Sequence, residues 1–251
     1  MTPDVVVDIG NTRMKWGRCV GGAVAEMMSL PLDEPGAWAE QLTAWGLNDG
    51  VRWAAASVNP TASLAFREWA TDTGDEVVFI DSDGVPLSYA VGHPEQVGID
   101  RLMNAFAAHC IAHPHPVIVV SVGTAATIDF IDETGVYHGG VIFPGPRLMA
   151  HSLHAHTAKL PLVDADTLPT TVAPGANTQD AILAGIRAAI VGATILLVTH
   201  YAEHCPPPWV FVTGGAAGDL GRLDFGARFK GTRTILPLTL EGIRIAAEGL
   251  P

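Results

Sequence analysis

Positive charge is scarce in this chain of 251 residues: Lys and Arg total 14 against 26 Asp and Glu, a formal net charge of −12. There is no basic stripe to neutralise a nucleic-acid backbone or to hold an anionic bilayer surface, so neither a nucleic-acid nor a membrane partner is expected. An anionic small ligand remains open, provided backbone N–H groups, a few placed cations or a metal receive it. Charge of either sign is low at 16%, while hydrophobic residues reach 48%, which excludes disorder as the main state. Cysteine is rare: Cys19, Cys110 and Cys205 are odd in number, far apart and free of any CxxC. Reduced thiols in a cytoplasmic protein are the expectation. The opening MTPDVVVDIG carries Asp4 and Asp8 and no basic run, unlike a secretory signal. Long hydrophobic runs are absent too. The uncharged stretch between Arg101 and Asp129 is broken by Pro114 and Pro116, and 188–201 is shorter than a membrane span. Three motifs are also missing: a GxxxxGK[ST] loop, a GxGxxG after a strand, and HExxH.

Three segments share one grammar, an apolar β-branched run that ends in small polar residues and glycine. They are Val5–Thr12, Val117–Thr124 and Trp209–Gly215. Uninterrupted apolar runs predict strands buried on both faces. Laying Asp8 on Ser121 places Gly10 on Gly123 and Asn11 on Thr124, a repeat at a half-chain offset that is also compatible with two ordinary turns of similar chemistry. Helical spacing predicts helices over 98–113, from Gln179 to about His204 with Ile182, Ile186, Ile190 and Ile195 recurring, and over 240–250. Asn177 or Thr178 caps the second of these. A boundary at Pro114–Pro116 divides the chain into an N-terminal domain, 1–115, and a C-terminal domain, 116–251.

The turn Asp8-Ile9-Gly10-Asn11-Thr12 offers a phosphate backbone N–H groups and a hydroxyl, and offers a hydrated Mg²⁺ a carboxylate. Lys15 is within reach of phosphate oxygens. The same residues also suit a plain hairpin turn, where Asn and Gly are favoured. Ser121–Asp129 is a second phosphate-turn candidate, and Gly214-Gly215-Ala216-Ala217-Gly218-Asp219 is a third glycine cluster, small enough for a purine and ribose to lie against. Three such turns in one chain describe the nucleotide cleft of actin, hexokinase and Hsp70. The expected fold is therefore α/β, with two actin-like (ribonuclease H-like) domains of the sugar kinase/Hsp70/actin superfamily and a nucleotide cleft between them.

The motif set resembles the type III pantothenate kinases over nearly the whole chain. Asp8–Thr12 is similar to their first phosphate motif and Gly98-Ile99-Asp100-Arg101 to their G-x-D-R motif. Gly123-Thr124-Ala125, with Thr127 and Asp129, is similar to their second phosphate motif. Gly139–Gly145 followed by Thr157–Pro161 is similar to their GG-x-I-x-PG and TA-x-LP segments, and Asn177-Thr178 and Val212–Gly215 complete the match. The resemblance implies an ATP-dependent kinase with an alcohol group as acceptor, which phosphorylates pantothenate to 4'-phosphopantothenate in the first step of coenzyme A biosynthesis. It implies ATP contacts from Asp8, Ile9, Gly10, Asn11, Thr12, Arg13, Met14, Lys15 and Thr124. Substrate contacts would come from Gly98, Ile99, Asp100, Arg101 and Thr178, and Asp100 would accept the hydroxyl proton. It further implies Mg²⁺ with the ATP, a monovalent cation (K⁺ or NH₄⁺), a homodimer and a cytoplasmic location. Other kinases for small molecules, and non-enzymatic transcriptional accessory proteins of the same fold, are the alternatives; Asp100 and Arg101 disfavour the accessory role.

Two departures stand out. The family places Asp two residues before the glycine of the second phosphate motif, where it holds the monovalent cation; this chain has Ser121. Where the family commonly has a tyrosine, three residues before the proline that precedes G-x-D-R, this chain has Val91, with Tyr89 two residues earlier: either the tyrosine has shifted with the loop or this substrate contact is absent. His151, His154 and His156, and His200, His204 and Cys205, read as surface histidines or as a zinc site.

Overall fold

The computed structural model describes residues 1–47, 50–218 and 220–250. Two compact units emerge: Met1–Cys110 with Pro237–Pro251, and Ile111–Leu236. The last helix therefore belongs to the first unit, not to a continuous C-terminal domain as the 116–251 boundary expects. Its apolar face is the reason. Leu238, Leu240, Ile243 and Ala247 are buried, and Gly242 lies so close to Met103 that a Cβ there would meet the Met103 carbonyl oxygen at 2.2 Å.

Unit one is built on five strands: β1 (Val5–Ile9), β2 (Met14–Val20), β3 (Ala23–Leu30), β4 (Arg52–Ser57) and β5 (Glu76–Phe79). Their order in the sheet is β3-β2-β1-β4-β5. β1 runs antiparallel to β2 and parallel to β4. One face packs on α1 (Pro35–Trp45) and α2 (Pro60–Asp72) through Val5, Val7, Ile9, Trp16 and Trp53. Trp16 and Trp53 meet edge to face, centroids 4.8 Å apart. The short strand β6 (Ser88–Tyr89) precedes α3 (Ile99–Ala112). Buried Thr239 ties α3 to the last helix by donating to Asn104 Oδ1 at 2.8 Å.

Unit two repeats the plan with β7 (Val117–Val122), β8 (Ala125–Ile131), β9 (Val136–Pro144), β10 (Trp209–Thr213) and β11 (Gly231–Thr234), ordered β11-β10-β7-β8-β9. β7 again runs antiparallel to the strand that follows it and parallel to one that comes much later. α4 (Pro146–Ala155) and α5 (Thr178–Ala202) come between β9 and β10, and α6 (Leu238–Gly249) closes the chain in unit one. Ile118, Val120, Val122, Ile128, Val210 and Val212 pack on α5 through Ile190, Val198 and Ala202.

Two sequence expectations about α5 change. The buried stripe is Ile182, Ile186, Ile190, Thr194 and Val198, whereas Ile195 stands exposed, because a run of four-residue steps from Ile182 arrives at 194. The apolar stretch is also longer than 188–201 suggests. α5 has 25 residues, and among the described residues it is the one helix long and apolar enough to cross a membrane. Its buried stripe on the sheet marks it as a core helix, with a second apolar face left outside.

Candidate active site

In unit one the chemistry is concentrated where β1 turns into β2. Gly10 N–H donates to Arg13 O at 3.1 Å and closes a hairpin whose tip residues Asn11, Thr12 and Arg13 are exposed, while Ile9 and Met14 at its base are fully buried. The hairpin reading is met, and the tip of the turn leaves residues 11–13 exposed. Pairing register sets Asp8 opposite Lys15, the first rung below the turn on its face of the sheet. Lys15 Nζ lies 3.3 Å from Asp8 Oδ2. Asp8 is only 6% exposed, and burial raises its carboxyl above the ordinary range; Lys15 opposes that rise and the negative charge of Asp100 adds to it.

Asp100 occupies the first turn of α3, where the helix dipole favours an anion. Gly98 carries the geometry: a Cβ there would come within 2.6 Å of Asp100 Oδ1, so the glycine leaves room for the carboxylate to fold back over the chain. The Gly98 carbonyl accepts from the N–H groups of Arg101 and Leu102 at 3.0 and 3.3 Å. Unit one therefore gathers two carboxylates and one ammonium. One negative charge is in excess, a donor set of hard oxygens that fits Mg²⁺. Tyr89 directs its hydroxyl into its own loop, donating to Ser82 O at 3.1 Å, and Val91 is half-buried.

In unit two, three motif segments converge on the end of β7. Gly123 N–H donates to Ala125 O at 2.9 Å, and Gly145 N–H to Thr124 O at 3.0 Å. A Cβ on Gly145 would meet Gly123 O at 2.1 Å, and one on Gly214 would meet Val122 O at 2.3 Å. Only glycine permits these approaches, which explains the PG and TGG elements as spacers around one turn. Gly139-Gly140 has a similar cause: a Cβ on Gly140 would lie 2.7 Å from Asp129 Oδ1, the oxygen that accepts from Tyr137 at 2.7 Å in the interior. The glycines 215 and 218 line a cavity of about 320 Å³ with Asp166, Leu168, Arg187 and Ile190. Asp219 lies outside the described residues.

Ser121 stands on the first rung below this turn on its face of the sheet, opposite Thr127 on one side and Thr213 on the other. All three oxygens are neutral hydroxyls, and that of Thr213 donates to Leu236 O at 3.1 Å. They can ligate a monovalent cation but supply no charge to attract it. Asn177 is the cap of α5, accepting from Asp180 N–H at 2.9 Å; Thr178 is the exposed first helical residue, free to meet a ligand. The histidines 151, 154, 156, 200 and 204 are exposed, and no group of three or more metal-ligating side chains occurs among the described residues. The Asp8–Lys15 pair is what sequence reading missed. The hairpin register holds it, and counting back equally from both sides of the turn would have found it.

The two sheets, their shared β-hairpin-and-crossover plan and the glycine turns at the strand ends define an actin-like α/β fold. Solved structures agree on the fold. A conserved protein of the Baf family of transcriptional activators from Campylobacter jejuni superposes with a TM-score of 0.62, 17% identical, covering 97% of both chains. A protein named as a 2-dehydro-3-deoxygalactonokinase from Sinorhizobium meliloti gives 0.60 at 11% identity, covering 97% of this chain and 98% of its own. MreB5 of Spiroplasma citri bound to AMPPNP gives 0.52 at 10%, covering 99% and 96%. The particular family follows from sequence: the family model of type III pantothenate kinases matches residues 5–200, and the chain belongs to that family. The type III pantothenate kinase of Aromatoleum aromaticum is 30% identical over 245 residues, 97% of each chain. That of Moorella thermoacetica is 33% identical over 264 aligned positions, 97% of this chain and 98% of its own.

Proposed function

We propose that this pantothenate kinase carries out phosphoryl transfer with Asp100 as the proton acceptor, in front of a nucleotide held by the Asp8–Lys15 hairpin and by Thr124. The observation that carries the reading is the meeting of Asp8, Lys15 and Asp100 in unit one, with Gly98 keeping the space that the Asp100 carboxylate needs. Phosphoryl transfer is mostly alignment and charge neutralisation, so the protein must bring few groups and hold them still. The open backbone of 10–13 receives phosphate oxygens, Lys15 offers its ammonium to them, and Asp100 accepts the hydroxyl proton as the bond forms. Mg²⁺, when bound with ATP, neutralises phosphate charge beside Asp8. Gly98, Ile99, Arg101 and Thr178 are the substrate contacts in this reading; the guanidinium of Arg101 suits the pantothenate carboxylate.

Two further elements belong to it. A monovalent cation, K⁺ or NH₄⁺, is needed less strongly than an aspartate at 121 would make it, because Ser121 lends it a neutral oxygen only. The working form in this reading is a homodimer in the cytoplasm, and the exposed Leu196 and Ile195 of α5, Leu148 and Leu153 of α4 and Ile142 of β9 support a partner surface on unit two. The test is a coupled assay of ADP release with and without pantothenate, run beside light scattering. Release that requires pantothenate, from a particle of twice the chain mass, is expected. Release indifferent to pantothenate refutes the substrate, and an active monomer refutes the dimer.

A further inference from the structure

Behind the phosphate hairpin, on the α1 and α2 side of the unit-one sheet, lies a cavity of about 500 Å³. Arg13 at the tip of the hairpin, Leu32 and Asp33 ahead of α1, and Thr61, Ala62 and Ala65 on α2 line it. Strand alternation keeps it apart from the reacting groups. Ile9, Met14 and Trp16 pack towards α1 and α2, whereas Asp8 and Lys15 lie on the opposite face, where the charge of Asp100 acts on Asp8. Both walls are fixed without a ligand. Trp38 Nε1 donates to Pro31 O at 2.8 Å and anchors the approach to α1; the Asn59 side chain caps α2 by accepting from Ala62 N–H at 3.1 Å. The cavity is therefore preformed.

Its charges are the telling feature. Arg13 and Asp33 line one space, yet neither enters an ion pair, with the other or with any described residue. A nucleotide held by the backbone of 10–13 leaves the Arg13 guanidinium for this cavity. A ligand with a carboxylate alone would meet Arg13 but stand beside Asp33. One with an amine alone would meet Asp33 but stand beside Arg13. A molecule carrying both charges satisfies the two residues together, and having no net charge it approaches a chain of −12 without repulsion. Leu32, Ala62 and Ala65 offer the rest of it an apolar wall. From this geometry we infer that the cavity is a second ligand site, for a zwitterionic amino acid with an aliphatic side chain, its carboxylate on Arg13 and its ammonium on Asp33.

The probe is L-leucine, with isocaproate, which lacks the ammonium, and isoamylamine, which lacks the carboxylate, as controls. Calorimetry follows all three on the wild type, on Asp33→Asn and on Ala65→Phe, which fills the cavity. Leucine is expected to bind the wild type, and each control to bind it at least about tenfold more weakly. Asp33→Asn should lose about tenfold for leucine yet gain affinity for isocaproate, since the repelling carboxylate is gone. Ala65→Phe should bind none of them. Asp33 and Ala65 are exposed and Asp33 makes no hydrogen bond among the described residues, so both variants should melt with the wild type. Saturating MgADP should change leucine affinity by less than about threefold, because the hairpin separates the two sites. No binding of leucine to the wild type at about 10 mM, or equal binding to all three proteins, overturns the inference. Leucine displaced outright by MgADP shows that the cavity is part of the nucleotide site, and overturns it as well.

Discussion

The two units solve one architectural problem with opposite chemistry. Each sets a glycine turn on a β-hairpin and places a pair of side chains on the first rung beneath it. In unit one the rung is Asp8 and Lys15, an ion pair whose carboxylate is buried while its lysine side chain stays nearly half exposed. In unit two it is Ser121 and Thr127, two hydroxyls without charge. A duplicated scaffold therefore fixes where a polar pair sits but leaves its charge free to differ. The charged rung lies in the unit that also supplies Asp100, and the neutral one lies under a turn held by glycines 145 and 214. Electrostatic work is concentrated in one unit and shape in the other.

The comparison can be broken most severely at Asp100. Asp100→Asn keeps volume and polarity and removes the base, so turnover should drop about 100- to 10,000-fold while the melting temperature holds. Turnover within a few-fold of wild type would end the assignment. Asp8→Asn sharpens the charged rung: turnover should fall about 100-fold, yet the protein should melt a few degrees higher at pH 7. The sign follows from the raised carboxyl. The folded state holds the Asp8 proton more readily than the unfolded chain does, so ionising it opposes folding as pH climbs above about 4, and the asparagine is spared that cost. Melting curves of both proteins should converge as the pH approaches 4; a constant difference would show that Asp8 is not the cause.

Steric predictions come next and compare the units directly. Gly242→Ala in unit one and Gly140→Ala in unit two each drive a methyl into a carbonyl oxygen, that of Met103 at 2.2 Å and that of Ile128 at 2.1 Å. Each should lower stability by about 2–3 kcal/mol in urea titrations. A neutral result at either would show slack in that unit. The smallest effect is expected at Ser121→Asp, which gives the neutral rung the charge its counterpart has. The half-saturating K⁺ concentration should fall about three- to tenfold in a sodium- and potassium-free buffer. Identical cation curves would mean that residue 121 does not touch the cation.

Much of this was legible in the sequence because local signals agreed with the fold. The apolar runs ending in glycine became β1, β7 and β10, and the half-chain offset that lays Asp8 on Ser121 matches the equal place of both residues in their sheets. Where reading failed, the deciding force was tertiary. Nothing local to Leu238–Gly249 says that it packs beside α3; the close approach of Gly242 to Met103 does. Ile195 carries the same apolar label as Ile190, and only its angle around α5 sends it outward.

The return of α6 to unit one has a consequence for synthesis. Unit two is an insertion spelled out between two parts of its neighbour, and the face of the unit-one sheet that includes Val6 waits for Leu240, encoded after all of unit two, to cover it. On the ribosome the later-encoded unit is thus the first to have all its parts, while the earlier one must stand with that flank bare until α6 has been made. Order of completion runs against order of encoding. A stop codon just before α6 would strike the unit encoded first.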